Sequence, residues 1–200
     1  VAMALAAGAC CWMFYGWVPP RWAAAGGLIV ALHPSIHTEW AQAYMGGLVG
    51  LAGGAMIYGA LPRLVRHPCW ITSVVMACGV MLLANGRPYE GLVSSLPVAT
   101  ALLFQIGKRI KSHWRQDLAQ IVLPSLVVFT AIGSWMAYYN HTVTGRWTTM
   151  PYQVYEQTYG LYKNFVWSTP REVPSYRHPV IRAFYTQWVA HKYDSLQTFA

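Results

Sequence analysis

The chain is poor in charge. Only 10% of its 200 residues are Asp, Glu, Lys or Arg, against about a quarter in an ordinary soluble domain. Acids are the scarcest, six in all: Glu39, Glu90, Asp117, Glu156, Glu172 and Asp194. Also missing are a P-loop, a G-x-G-x-x-G, a G-x-S-x-G and an H-E-x-x-H, which removes the common fingerprints of soluble nucleotide-binding and hydrolytic enzymes. The four cysteines form no CxxC and no Cys/His metal spacing. Cys10, Cys11, Cys69 and Cys78 all sit in or at the edge of apolar runs and read as small buried hydrophobes. The first residues, "VAMALAAGACCWMFYGWV", have no initiator methionine, no basic leader and no small-residue cleavage site. These features do not suggest a signal peptide and lead us to expect a chain that begins inside a membrane helix, as part of a longer protein.

What is abundant is apolar and aromatic. Hydrophobic residues make up 56% of the chain, with ten tryptophans and thirteen tyrosines. Aromatics collect at membrane interfaces as well as in cores. The mean hydropathy of +0.32 averages two unlike parts, apolar runs over 1–139 and a polar, aromatic segment over 140–200. The expected fold is all-α: a polytopic bundle followed by an extracytoplasmic segment with an amphipathic helix.

A membrane-spanning helix needs about 20 mainly apolar residues. Six segments qualify: 1–18, 22–36, 43–61, 68–86, 91–107 and 118–139. The second is short and Pro34 ends it, but loop alternation supports it. With six spans Arg21, Arg63, Arg66, Lys108, Arg109, Lys111 and Arg115, less Asp117, put +6 of the formal +8 on one side. That is the positive-inside bias of cytoplasmic loops and not the stripe of a nucleic-acid-binding surface, so nucleic acid is not an expected partner. The loops holding Glu39 and Arg87/Glu90, and the tail, then share the other side.

The third span carries Gly46, Gly50 and Gly54 on one helix face, spaced for close helix packing. In the tail, "HPVIRAFYTQWVAHKYDSLQ" has helical periodicity, with Pro179 in the first turn. It reads as a helix on a membrane surface or against another domain. Asn140-His141-Thr142 matches the glycosylation triplet, a short pattern of low specificity.

The chemistry-bearing residues lie on the outer side. "LLANGRPYEGL" puts Arg87 and Glu90 where the fourth span emerges, with Pro88 stiffening the corner. One reading is a corner pinned by an ion pair at i,i+3. The other is an anion-binding cavity in which Arg87 meets a phosphate and Glu90 orients it. Glu39 is the one acid of its loop, a candidate general base. His33 and His37, four apart beside Glu39, would suit a divalent metal ion on an unbroken helix, but Pro34 between them favours loop histidines.

Four stretches, "GWVPPRWAAAGGLIVAL" (16–32), "WAQAYMGGLVGLAGGAMIYGALPRL" (40–64), "LLANGRPYEGL" (82–92) and "YYNHTVTGRWTTMPYQVYEQTYG" (138–160), together resemble a bacterial family of polytopic proteins in the GT-C glycosyltransferase superfamily. These are relatives of lipid-linked-sugar mannosyl- and arabinosyltransferases. The resemblance covers most of the chain, including "YRHPVIRAFYTQW". It implies a multi-pass protein of the bacterial cytoplasmic membrane that takes a sugar from a polyprenyl-phosphate carrier on the non-cytoplasmic face. It also implies a catalytic carboxylate in a first outer loop, which nothing in this chain matches, and further helices beyond residue 200. At the third-span entrance "AYMGG" (Ala43 to Gly47) departs from the family's aromatic-rich "SYWGG". On this reading Arg87, Tyr89 and Glu90 line the cavity, Glu39 and Glu90 are the acids for catalysis, and Tyr152, Tyr155 and Tyr159 stack on sugar or acceptor. The rival expectation is a non-catalytic subunit of a larger membrane complex, suggested by the unmatched catalytic loop, the glycine face and the aromatic tail. A transporter or channel is less suited, because the spans hold almost no ionisable residues.

Overall fold

The computed structural model of the chain describes residues 1–36, 47–162 and 170–197. Among these residues it is helical, with no strand. Helices α1 (Ala2–Tyr15), α2 (Pro20–Leu32), α3 (Gly47–Arg66), α4 (Trp70–Gly86) and α5 (Pro88–Asp117) lead through a π-helical turn (Leu118–Val122) into α6 (Leu123–Thr144). After these come α7 (Pro151–Tyr159), α8 (Pro179–Ala183), a second π-helical stretch (Phe184–Val189) and α9 (Ala190–Gln197). The chain divides into two compact units, Val1–Ser134 and Trp135–Ala200.

Among the described residues three helical segments are long and apolar enough to cross a membrane: Gly47–Arg66, Pro88–Arg109 and Lys111–Thr144. At 1.5 Å per residue the 20 residues of α3 extend about 30 Å, the depth of a bilayer's hydrocarbon core. Helices also occupy the other three expected spans, but with 14, 13 and 17 residues α1, α2 and α4 are shorter. The stretch 108–117, expected to be an open loop, is instead helical, with a break at His113 (φ −130°, ψ 16°).

In the first unit α3 is the hub, packing on α1, α4 and α5. Its inward face, Ile57, Ala60, Leu61 and Leu64, meets Met76 and Leu83 of α4, Val98 and Leu102 of α5, and Ile121 of the π turn. Two prolines shape these contacts. Pro62 has no N–H for the carbonyl of Tyr58, and the indole of Trp17 donates to that carbonyl at 2.9 Å. Pro124 likewise frees the carbonyl of Gln120, which accepts from the buried hydroxyl of Ser73 on α4 at 2.7 Å. The Gln120 side chain also accepts from the Trp70 N–H at 3.0 Å, giving one of the orphan donors at the start of α4 a partner. A proline-forced widening of the helix thus becomes the joint between α4 and the π turn.

The expected glycine face differs from the observed one. Gly46 lies outside the described residues, a Cβ on Gly54 would meet open space, and one on Gly50 would meet only the Arg87 side chain. The close approach of α3 to α4 is made by Gly53 and Gly79. A Cβ on Gly79 would stand 2.8 Å from the Gly53 carbonyl oxygen. Gly53 is buried at the α4 contact, whereas Gly50 and Gly54 line a groove. The cysteines are all free, and only Cys10 is fully buried.

In the second unit α6 ends at Thr144, where Gly145 takes φ +75° and its N–H closes on the His141 carbonyl at 2.9 Å, the glycine-terminated helix end. Asn140 is buried and its amide donates to the Trp147 carbonyl at 3.4 Å, so the glycosylation triplet is part of this turn.

Candidate functional site: the Arg87 groove

Arg87 is the single residue between α4 and α5, closing one helix and opening the next. Pro88 disfavours helical geometry at the residue before it, and Arg87 adopts φ −145°, ψ 70°. The corner is tight. The Arg87 N–H donates to the Leu83 carbonyl and the Gly91 N–H to the Arg87 carbonyl, both at 2.7 Å. A Cβ on Gly91 would lie 2.7 Å from Leu83 Cβ, so only glycine fits the second turn.

The guanidinium folds back on its own helix start. Arg87 Nη1 lies 2.8 Å from Oε1 and 2.6 Å from Oε2 of Glu90, one nitrogen astride both carboxylate oxygens. The Arg87 side chain is 32% exposed and that of Glu90 69%, so the pair sits at a rim where solvent weakens its Coulomb term. Arg87 Nε is different: it is buried and has no hydrogen-bond partner. The arginine stem lies along α3, its Cδ 3.3 Å from where a Gly50 Cβ would be.

Beside this corner lies an open groove of about 340 Å³. Gly47, Gly50 and Gly54 of α3 contribute to it with Cys10 and Met13 of α1, while Arg87 and Glu90 provide its charge. The ion pair pins the turn, and the same arginine borders a groove lined in part by Gly47, Gly50 and Gly54 of α3. The buried Arg87 Nε is the unpartnered donor at this border among the described residues.

Of the residues singled out from sequence, Arg87 and Glu90 come together here. Tyr89 is half-exposed at the corner and does not line the groove. Glu39, with His37, lies outside the described residues. His33 is exposed just past α2, and among the described residues no three His, Cys, Asp or Glu side chains gather as a metal site. Ser94, which lines the groove, receives the Tyr58 hydroxyl on its carbonyl at 2.9 Å. Nothing in its sequence context marked it.

Tyr152, Tyr155 and Tyr159 lie on α7 in the second unit. Tyr155 and Tyr159 are neighbours at i,i+4 with ring centroids 5.0 Å apart. Tyr176, from the irregular stretch that follows, donates to the Tyr159 carbonyl at 2.8 Å and stacks on Tyr185 at 5.8 Å. Burial, then a hydrogen bond with Tyr155, pushes the Tyr185 phenol above its usual range. Burial likewise raises the Glu156 carboxyl, opposed by nearby Arg171, whose guanidinium donates to the Glu156 carbonyl at 3.2 Å. These tyrosines thus hold α7 to the tail, and Tyr176 and Tyr185 belong to the cluster although the sequence reading did not select them. The tail is helical over Pro179–Gln197. Tyr193 is buried and stacks on Tyr162, while Phe184 and Trp188 form an exposed stacked pair with Lys192 Nζ 5.3 Å from the Trp188 ring.

Family models, curated proteins and solved structures compared with the chain return no match.

Proposed function

We propose that the chain is a six-span protein of the bacterial cytoplasmic membrane. In this reading the Arg87 groove receives the phosphate of a polyprenyl-phosphate sugar on the non-cytoplasmic face, as the GT-C resemblance implies. The observation that carries this reading is the Arg87 side chain, with one nitrogen held by Glu90 while the buried Nε has no partner. A phosphate oxygen at Nε would satisfy that donor and add a charge-assisted hydrogen bond. Glu90 orients the guanidinium, and the glycines leave the groove open to a headgroup. Glu39 is the acid assigned to taking the acceptor's proton. The exposed Phe184/Trp188/Lys192 surface suits the membrane interface, where aromatic rings and basic tips are favoured.

The test is binding of a polyprenyl-phosphate analogue to the full chain in mild detergent. Arg87→Ala is expected to weaken it at least tenfold, the cost of about 1.4 kcal/mol or more of charge-assisted hydrogen bonding. Glu90→Gln is expected to weaken it less, since the arginine remains. Binding unchanged in Arg87→Ala removes the groove from the function. Stoichiometric co-purification with other membrane proteins, with no analogue binding, instead supports the non-catalytic subunit.

A further inference from the structure

A second cavity lies on the other side of α5. It measures about 430 Å³ and is bounded by Ile57 of α3, Met76 of α4, Leu102 and Ile106 of α5, and Ile121 and Phe129 on the π turn and α6. Its lining is apolar except for two serines. One of them, Ser125, is 9% exposed, and its Oγ is buried with no hydrogen-bond partner. A helical serine ordinarily satisfies itself on the carbonyl one turn back. Ser125 instead follows a π-helical turn, a distortion often found at binding sites. A hydrocarbon-lined cavity does not hold water well, so this hydroxyl calls for an acceptor carried in on an apolar ligand.

The charge at one end of the cavity narrows the choice. Arg109 lies three residues beyond Ile106, on the same face of α5. Buried Asp117 holds it at 3.6 Å across the break at His113. Lys108, Lys111 and Arg115 belong to the same stretch of chain, so four cations stand against one carboxylate there. Basic clusters next to pockets between membrane helices recognise anionic lipid headgroups.

We propose that this cavity is a specific site for one anionic diacyl phospholipid. One acyl chain lies between α5 and α6, an ester carbonyl accepts from Ser125 Oγ, and the phosphate sits at the Lys108–Arg115 cluster. The site is independent of the Arg87 groove, and its ligand differs from a prenyl phosphate in having an ester carbonyl.

The test uses the full chain in mixed micelles holding equal amounts of phosphatidylglycerol and phosphatidylcholine with identical acyl chains, read by native mass spectrometry. One phosphatidylglycerol per chain is expected, retained several-fold over phosphatidylcholine. Arg109→Gln is expected to reduce that preference. Ala99→Phe, which fills the cavity from its lining, is expected to abolish retention. Ser125→Ala, a small change within a helix, is expected to lower retention about three- to tenfold, the worth of one buried hydrogen bond. Equal retention of the two lipids by the unaltered protein overturns the proposal. So does retention unchanged in Ser125→Ala, or displacement of the lipid by polyprenyl phosphate as readily as by phosphatidylglycerol.

Discussion

Replacing Gly79 with alanine tests the packing of the bundle. A Cβ there would stand 2.8 Å from the Gly53 carbonyl oxygen, 2.9 Å from Met56 Cβ and 3.1 Å from Ile57 Cγ1. The first of these is backbone and cannot turn aside, so α3 and α4 must separate. Overpacking of this kind costs about 1–3 kcal/mol. Gly54→Ala is the matched control: it lies on the same bundle's α3, but its new methyl would meet nothing within 4 Å. Both changes gain up to about 1 kcal/mol from helix propensity, so that gain cancels in their difference. Gly54→Ala should therefore be neutral or stabilising, and Gly79→Ala should unfold earlier by about 1–3 kcal/mol relative to it. Unfolding in mixed micelles with increasing denaturing detergent, followed by circular dichroism, reads the difference. Equal midpoints for the two variants would refute the assignment of Gly53–Gly79 as the close contact.

The Ser73 bond to the carbonyl freed by Pro124 makes a double-mutant cycle. Ser73→Ala should cost about 0.6–1.7 kcal/mol, the range for hydrogen bonds between membrane helices, and less when Pro124→Ala restores the helix's own donor. Equal costs in both backgrounds would show that the two residues do not act through Gln120. In the second unit, burial raises the Glu156 carboxyl above its ordinary 4.5. The folded state then holds the proton more tightly than the unfolded one. Its stabilisation is complete below pH 4.5 and is lost as pH rises through the raised value. The near-ultraviolet signal of the tyrosine cluster should therefore melt at lower denaturant as pH rises through that window, relative to Glu156→Gln. Parallel pH profiles for the two proteins would contradict this.

Much of this architecture was legible in the chain. Apolar run lengths located helices at all six expected segments, because spacing of apolar residues and the backbone's need for internal hydrogen bonds are local properties. "GRPYEGL" announced its corner for the same reason. A proline after Arg87 forbids helix there, and a glutamate three residues on is within reach of the guanidinium. The helical tail followed from its period, although which aromatic rings turn inward did not.

Tertiary structure alone decided what those local features face. Gly50, Gly53 and Gly54 are chemically identical, and only the position of α4 makes Gly53 the contact and leaves its neighbours to line a groove. The sequence could mark Pro124 as a helix disturbance. It could not say that the carbonyl thereby freed would meet Ser73, some fifty residues earlier in the chain. Asp117 and Ser125 looked like ordinary loop and helix residues until burial denied them water. Periodicity is written along the chain, but burial and partnership depend on which helix lies alongside, a long-range choice made by the summed packing of the bundle.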